Sequence, residues 1–480
     1  MTNNPQYEDF LRSKKRYTIA RGFEVDPARL NPMLKPFQRD IVQWALLLGK
    51  SAIFAAVGLG KTFMQLDWSH RVASQFGGGV LILAPLGVAH QTTEEGKKFG
   101  YHIPYVQDQD EYDRCGSLVA ITNYDRVDNF LPHKFIGVVL DESSILKNYS
   151  GSTKNKIIDM FKDLPYKLCC SATPAPNDHV ELGNHAEFLD IMSSQSMLAT
   201  YFINDRSKTG VYRLKNHARD AFWEWLTSWA VCIRKPSDLG EGYSDEGYIL
   251  PELRYVDHHI GFNDMTIQEA WAEGKLLPDT APSSSELGRV KRKTIQERVD
   301  VTKSIVESYG NKQSIIIWCL LNDEQDALEK ALPHAISVRG SDKPQEKIRK
   351  LREFKDGNCP IISKTSIVGA GMNWQHAPIT IFVSSNYSFE SQHQAIGRNY
   401  RYGQTENVDV HIIYSEAEGN VFTALAQKQE QFNAMQEEMT TAMRRYGLFR
   451  SSKTAPIYNP LGDQEMIIPS WLTSHIEFAE

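Results

Sequence analysis

The stretch "AAVGLGKTFMQL", residues 55–66, decides how the chain is read. Before it, "SAIFAAV" is a short apolar run ending in small residues; after it, "TFMQLDWSHRVAS" carries apolar residues at helical spacing. A strand, a glycine turn and a helix in that order make either a phosphate cradle or a flexible turn with a surface lysine. A cradle needs backbone N–H groups aimed into a concave turn at a helix N-terminus, a lysine for the outer phosphates and a hydroxyl for magnesium. Gly58, Gly60, Lys61 and Thr62 meet those needs, although Ala55 stands where the full pattern has its first glycine. The rest of the chain has to arbitrate.

Working outward, "LKPFQRDIVQWALLLGK" opens a region in which apolar runs ("GVLILAP", "SLVAITN", "GVVLDE", "YKLCCSAT") alternate with amphipathic segments up to about residue 175. This is the pattern of β-α-β units and of a parallel sheet covered by helices on both faces. The rhythm returns from "QSIIIWCLL" through "HAISVRG", "CPIISKTS", "TIFVSS" and "VDVHIIYS". The fold class expected is α/β, with two tandem parallel-sheet domains. The divisions expected are an N-terminal extension over 1–30, a first domain over 31–178, a helical insertion and linker over 179–300, a second domain over 301–418 and a C-terminal helix and tail over 419–480. In the insertion, Trp223, Trp225 and Trp229 are read as core or inter-domain packing, and 280–293 as a flexible loop with the basic cluster Lys291-Arg292-Lys293. The helical run "FTALAQKQEQFNAMQEEMTTAMRRYG" is expected to stop at Gly447 and to brace the second domain.

Composition narrows the class. At 480 residues the chain exceeds one ordinary core, given about 150 residues per domain. Hydrophobic residues at 41% and charged residues at 23% are those of a globular protein. With no apolar run near 18 residues and no h-region in "MTNNPQYEDFLRSKKRYTIARG", a cytoplasmic protein without membrane association is expected. Cys115, Cys169, Cys170, Cys232, Cys319 and Cys359 have neither Cys-x-x-Cys spacing nor nearby histidines, which argues against structural disulfides and zinc. The net charge of −6 excludes a wholesale basic coat but not a local patch for nucleic acid.

A cradle for ATP and Mg2+ requires a carboxylate at the end of a neighbouring strand, and "GVVLDESS" supplies Asp141 there, with Glu142 beside it to activate water. The transferring phosphoryl group also needs positive charge from elsewhere. "QHQAIGRNYRYGQ" places Arg398 and Arg401 three apart, on one side of a helix if that segment is helical.

Ten segments in order now resemble one family: "LKPFQRDIVQW", "GLGKT", "LILAPLGVAHQ", "ITNYD", "VVLDESSILKN", "SATPAPN", "IRKPSDLG", "RGSDKPQEKIRKLREF", "SKTSIVGAGMNWQHA" and "QAIGRNYRYGQ". The chain resembles a superfamily-2 helicase or translocase, most closely the Swi/Snf-like, chromatin-remodeller-type branch, over about residues 33–415. The resemblance implies tandem RecA-like domains of the P-loop NTPase kind and an ATP hydrolase acting on DNA. Position by position, it implies that Gln38 reads the adenine edge, that Gly58, Gly60 and Lys61 hold phosphates, that Thr62 and Asp141 hold magnesium, and that Glu142 activates water. Ser171 and Thr173 would link the nucleotide site to the nucleic-acid groove. Gly371 and Asn373 would lie in the cleft between lobes, and Gln394, Arg398 and Arg401 would close over the γ-phosphate. Ser143 and Ser144 stand where relatives carry Ala-His after the carboxylate pair, "SATPAP" has the Ser-Ala-Thr of other superfamily-2 helicases, and Tyr400 and Tyr402 replace the common His and Ile.

The expected function is an ATP-dependent DNA helicase or duplex translocase in replication, recombination or repair, touching the DNA backbone without sequence specificity and encoded by a bacterium or phage. RNA is the less favoured track. The alternatives are an RNA helicase and an ATP-gated clamp or scaffold that does not translocate.

Overall fold

The computed structural model describes residues 20–147, 151–204, 212–261, 284–310, 313–368, 373–385 and 388–448. Its first sheet takes strands β1 (Lys50–Ala55), β2 (Gly79–Ala84), β3 (Val119–Asn123), β4 (Phe135–Asp141) and β5 (Tyr166–Ser171). Nearly every residue of these strands is buried, as near-continuous apolar runs in a parallel sheet with helices on both faces must be. A short antiparallel hairpin, β6 (Phe202–Asn204) and β7 (Tyr212–Leu214), follows outside the sheet.

The stretch 179–300, expected to be helical, also contributes a strand to each sheet. After the helix Arg219–Thr227 the chain runs as β8 (Ala230–Ile233), which pairs with β1 and completes the spatial order β3-β2-β4-β5-β1-β8. Further on, β9 (Leu253–Ile260) crosses to the second sheet. That sheet also holds β10 (Ile315–Cys319), β11 (Ile336–Ser337), β12 (Pro360–Lys364), β13 (Ile379–Phe382) and β14 (Val408–Ser415), in the order β11-β12-β10-β13-β14-β9. All strand pairs within both six-stranded sheets are parallel. The chain is therefore two α/β lobes of the tandem RecA-like kind.

Register positions the site. Phe54 of β1 lies opposite Ser171 of β5, and Asp141 of β4 lies opposite Cys170. The carboxyl ends of the three central strands thus finish together, the edge where ligands bind in open parallel sheets.

Three other segments depart from expectation. Residues 20–30 are no loose extension: the Arg21, Gly22 and Phe23 amides donate to the carbonyls of Leu48, Leu47 and Leu46 at 3.2, 3.0 and 3.0 Å, and Val25 and Leu30 are buried. The piece 284–293, read as loop, is the helix Ser284–Lys293, and residues 280–283 lie outside the described residues. The final helix, Gly419–Tyr446, does end before Gly447 in a left-handed conformation, φ 67. It packs against the helix Arg219–Thr227 and β8 of the first lobe more than on the second. The Trp223 indole donates to Glu438 at 2.8 Å, Arg219 ion-pairs with the same carboxylate, and Met443 is buried in the first-lobe core. The three tryptophans are buried as expected, and Trp229 stacks edge-on with Phe54 of the strand that leads into the glycine turn, ring centroids 6.2 Å apart. Truncating such a ring would cost about 3–5 kcal/mol.

Candidate active site

β1 ends at Ala55, and the chain turns through Gly58 (φ 90) and Gly60 (φ 81) before the helix Lys61–Phe76 begins. Both glycines lie in the left-handed region, where a side chain is strained. The turn closes around the Lys61 ammonium, which donates to the carbonyls of Ala55 at 2.8 Å and Ala56 at 3.4 Å. Burial lowers its pKa, against the opposing pull of Glu142 and Asp141. A lysine held this way is aimed into the concave side of a helix N-terminus, as an anion site requires.

Asp141 ends β4, and its carboxylate accepts from the Gln65 amide at 2.8 Å while its backbone carbonyl accepts from the Tyr124 hydroxyl at 2.8 Å. Burial and then the neighbouring Glu142 charge push its carboxyl up to about 7. Glu142 is raised as well, by burial, with Lys61 and Arg398 opposing. Glu142 holds a left-handed backbone, φ 54, and its Oε2 is buried with no hydrogen-bond partner among the described residues. Adjacent buried carboxylates that both resist ionisation are poised for a cation. No group of three or more His, Cys, Asp or Glu side chains among the described residues forms a metal cage, so a cation here would draw its remaining oxygens from a phosphate ligand or water, the habit of Mg2+.

The second lobe closes the other side. The helix Phe389–Ile396 ends before Arg398, so Arg398 and Arg401 sit in the turn after it rather than on a helix face. Both still line a cavity of about 410 Å3, facing Lys61, Thr62, Asp141 and Glu142 across the cleft. Burial lowers Arg398 to about 10 against the attraction of Glu142, and lowers Arg401 against that of Glu95. The Nε groups of both arginines are buried without a hydrogen-bond partner among the described residues. Gln394 and Asn373 line the same cavity, and Gly371 lies outside the described residues. The lobes meet at the glycine turn: a Cβ on Gly58 would come within 2.7 Å of the Tyr402 amide nitrogen. Lys35 also donates to the Tyr402 hydroxyl at 3.0 Å, and Lys147 ion-pairs with Glu390.

Gln38 sits beneath the turn. Its amide donates to the Leu59 carbonyl at 2.9 Å and accepts from the Lys35 amide at 2.9 Å, fastening the helix Pro36–Leu48 to the turn. Thr173 and Ser171 are buried at the end of β5, the Thr173 amide donating to the Ser171 hydroxyl at 3.0 Å. Sequence reasoning missed Gln65, whose position three residues after Thr62 on the same helix face was the available signal. It also missed His185, for which the sequence offered none.

Residues 297–403 match the helicase conserved C-terminal domain family. The expected likeness to helicases is borne out over this segment. The chain is 24% identical over 468 residues to the ATP-dependent DNA helicase DDM1 of Arabidopsis thaliana, covering 81% of this chain and 60% of the relative. It is 21% identical over 436 residues to the uncharacterized ATP-dependent helicase MG018 of Mycoplasma genitalium, covering 83% of this chain and 42% of that protein. It thus spans about three-fifths of the first relative's length and less of the second's. A shorter match, 26% over 107 residues and 21% of this chain, is to DEAD-box ATP-dependent RNA helicase 5 of Arabidopsis thaliana, of which it covers 20%. Among solved structures, the Sulfolobus solfataricus SWI2/SNF2 ATPase core in complex with dsDNA aligns at a TM-score of 0.41 and 17% identity, over 90% of this chain and all of the other.

Proposed function

We propose that this chain is an ATP hydrolase that couples turnover between its two lobes to movement on DNA. The carrying observation is the shared cavity, in which Lys61, Thr62, Asp141 and Glu142 of one lobe face two arginines of the other whose buried Nε donors have no partner among the described residues. Unpaired buried donors beside an unpaired carboxylate oxygen are costly in a closed protein and fit a polyanionic ligand with its cation. Strand and lobe boundaries follow the same reading: first lobe 31–178 joined by β8, second lobe 301–418 joined by β9.

Thr62 and Asp141 would hold magnesium, which when bound supplies charge that offsets the phosphate oxygens. Lys61 would exchange its two carbonyl partners for a phosphate oxygen. Glu142, with a raised pKa and a free oxygen, orients a water and accepts its proton. Arg398 and Arg401 stabilise charge on the transferring group once the second lobe is seated, so turnover depends on closure. Gln38 keeps the glycine turn in shape, and an adenine contact would require its amide to leave Leu59 or Lys35. Cycles of closing and opening would alternate the lobes' grip on a phosphate backbone, a population shift driven by nucleotide.

DNA is favoured over RNA as the track because the relative named a DNA helicase aligns over 81% of the chain, the RNA helicase over 21%. A bacterial or phage source, with work in replication, recombination or repair, belongs to this proposal. No helix among the described residues is long and apolar enough to cross a membrane.

The test is steady-state ATP hydrolysis alone and with duplex, forked and single-stranded DNA and with RNA, using Glu142→Gln as the blank. Strong DNA stimulation that vanishes in the variant is expected. Equal low rates under every condition would overturn the motor and favour a clamp; preferential stimulation by RNA would reassign the track.

A further inference from the structure

Glu142 is one of two non-glycine residues among those described with a positive φ, a conformation that costs an ordinary residue roughly 1–2 kcal/mol. Something must hold it. On its N-terminal side, its own amide donates to Asp141 Oδ1 at 3.1 Å. On its C-terminal side, the chain enters a short 3-10 helix, Ser143–Lys147, that a distant element grips at both ends. The first end is Ser143, whose hydroxyl lies 3.1 Å from His185 Nε2. The other end is the carbonyls of Leu146 and Lys147, which accept from the Asn184 amide at 2.8 and 3.3 Å.

His185 and Asn184 are consecutive on the helix Leu182–Phe188. The His185 ring is wholly buried and stacks edge-on against Phe54 at the end of β1, centroids 5.1 Å apart. Its Nδ1 faces the Glu181 carbonyl at 3.4 Å; in the tautomer with the proton on Nδ1, Nε2 accepts from the Ser143 hydroxyl. Burial lowers the imidazole to about 4, keeping it neutral. The far end of the gripped segment reaches the second lobe, where Lys147 ion-pairs with Glu390 on the helix leading to Arg398.

We propose that His185 is a positioning residue: through the Ser143 hydroxyl it fixes the turn that aims Glu142 into the cleft. The helix Leu182–Phe188 thereby ties the water-activating carboxylate to the contact made by the second lobe. This rests on the hydrolytic reading of the site.

The experiment is a double-mutant cycle of Ser143→Ala and His185→Leu, with His185→Gln as the conservative replacement whose amide oxygen can still accept. Each of the first two is expected to lower DNA-stimulated kcat about tenfold, as slight misplacement of a catalytic group does, while the KM for ATP stays within about twofold. The double variant should lose no more than either single one, since both remove the same bond, and His185→Gln should recover most of the rate. Ser143→Ala is a small change that keeps the test alive if His185→Leu does not fold. Unchanged kcat in Ser143→Ala, losses that multiply in the double variant, or a His185→Gln variant as slow as His185→Leu would each overturn the inference alone. If the unaltered protein shows no hydrolysis that Glu142→Gln abolishes, the hydrolytic reading falls and takes the inference with it.

Discussion

The two walls of the cleft are built differently. On the first lobe the groups that would hold nucleotide are tied down, Lys61 to two carbonyls, Asp141 to Gln65, Gln38 to Leu59 and Lys35, while the water-facing Glu142 Oε2 has no partner among the described residues. On the second, Arg398 and Arg401 reach the same cavity with their buried Nε groups lacking any hydrogen-bond partner among the described residues. A wall with satisfied groups is preorganised to bind, whereas a wall with unsatisfied donors gains most when charge develops opposite it. Binding should therefore belong to the first lobe and turnover to their meeting.

The largest expected break in this comparison is Lys61→Ala. It removes the cation at the centre of the bound wall and should abolish measurable ATP binding and hydrolysis together, in titration with a fluorescent ATP analogue and in steady-state rates. Binding retained with only turnover lost would place Lys61 on the wrong side of the division.

Asp141 sharpens it next. Its folded carboxyl stands at about 7 against an ordinary 3.8, so folding favours the protonated form; that stability is whole below the ordinary value and is lost as pH rises through about 7. Asp141→Asn is expected to melt a few degrees above the parent at about pH 8 without divalent cation, the gap closing by about pH 4, while Mg2+ no longer raises its melting temperature. A gap independent of pH would contradict the assigned burial. The smallest effect should come from Lys35→Ala. Its ammonium bridges the lobes at the Tyr402 hydroxyl and lies 4.1 Å from that ring's centroid, but it is partly exposed, so the contact should alter turnover by no more than about threefold.

What was legible in the sequence divides along a similar line. Strands β1–β5 and β10–β14 stood out because each is an apolar run of its own. β8, "AVCI", escaped because only Ser228 and Trp229 separate it from the tryptophan-rich helix, where periodicity cannot distinguish a short buried strand from a helix end. β9, "LRYVDHHI", escaped because it is a largely exposed edge strand with many polar residues. The motif residues that came together in the cleft were readable from order and spacing. The bonds that hold them were not: Gln65 to Asp141 and His185 to Ser143 join positions 76 and 42 residues apart, and only the folded register brings them into reach. For the same reason the sequence points the final helix to the second domain, since nothing local says that Glu438 meets Trp223.

The most direct test of the divided cleft is Arg401→Ala, with ATP affinity and DNA-stimulated turnover measured on the same preparation. The account predicts affinity close to that of the parent and turnover lower by about three orders of magnitude, as for the loss of a charge that acts on the transferring group. Turnover within about tenfold of the parent, or an equal loss of affinity, would contradict it.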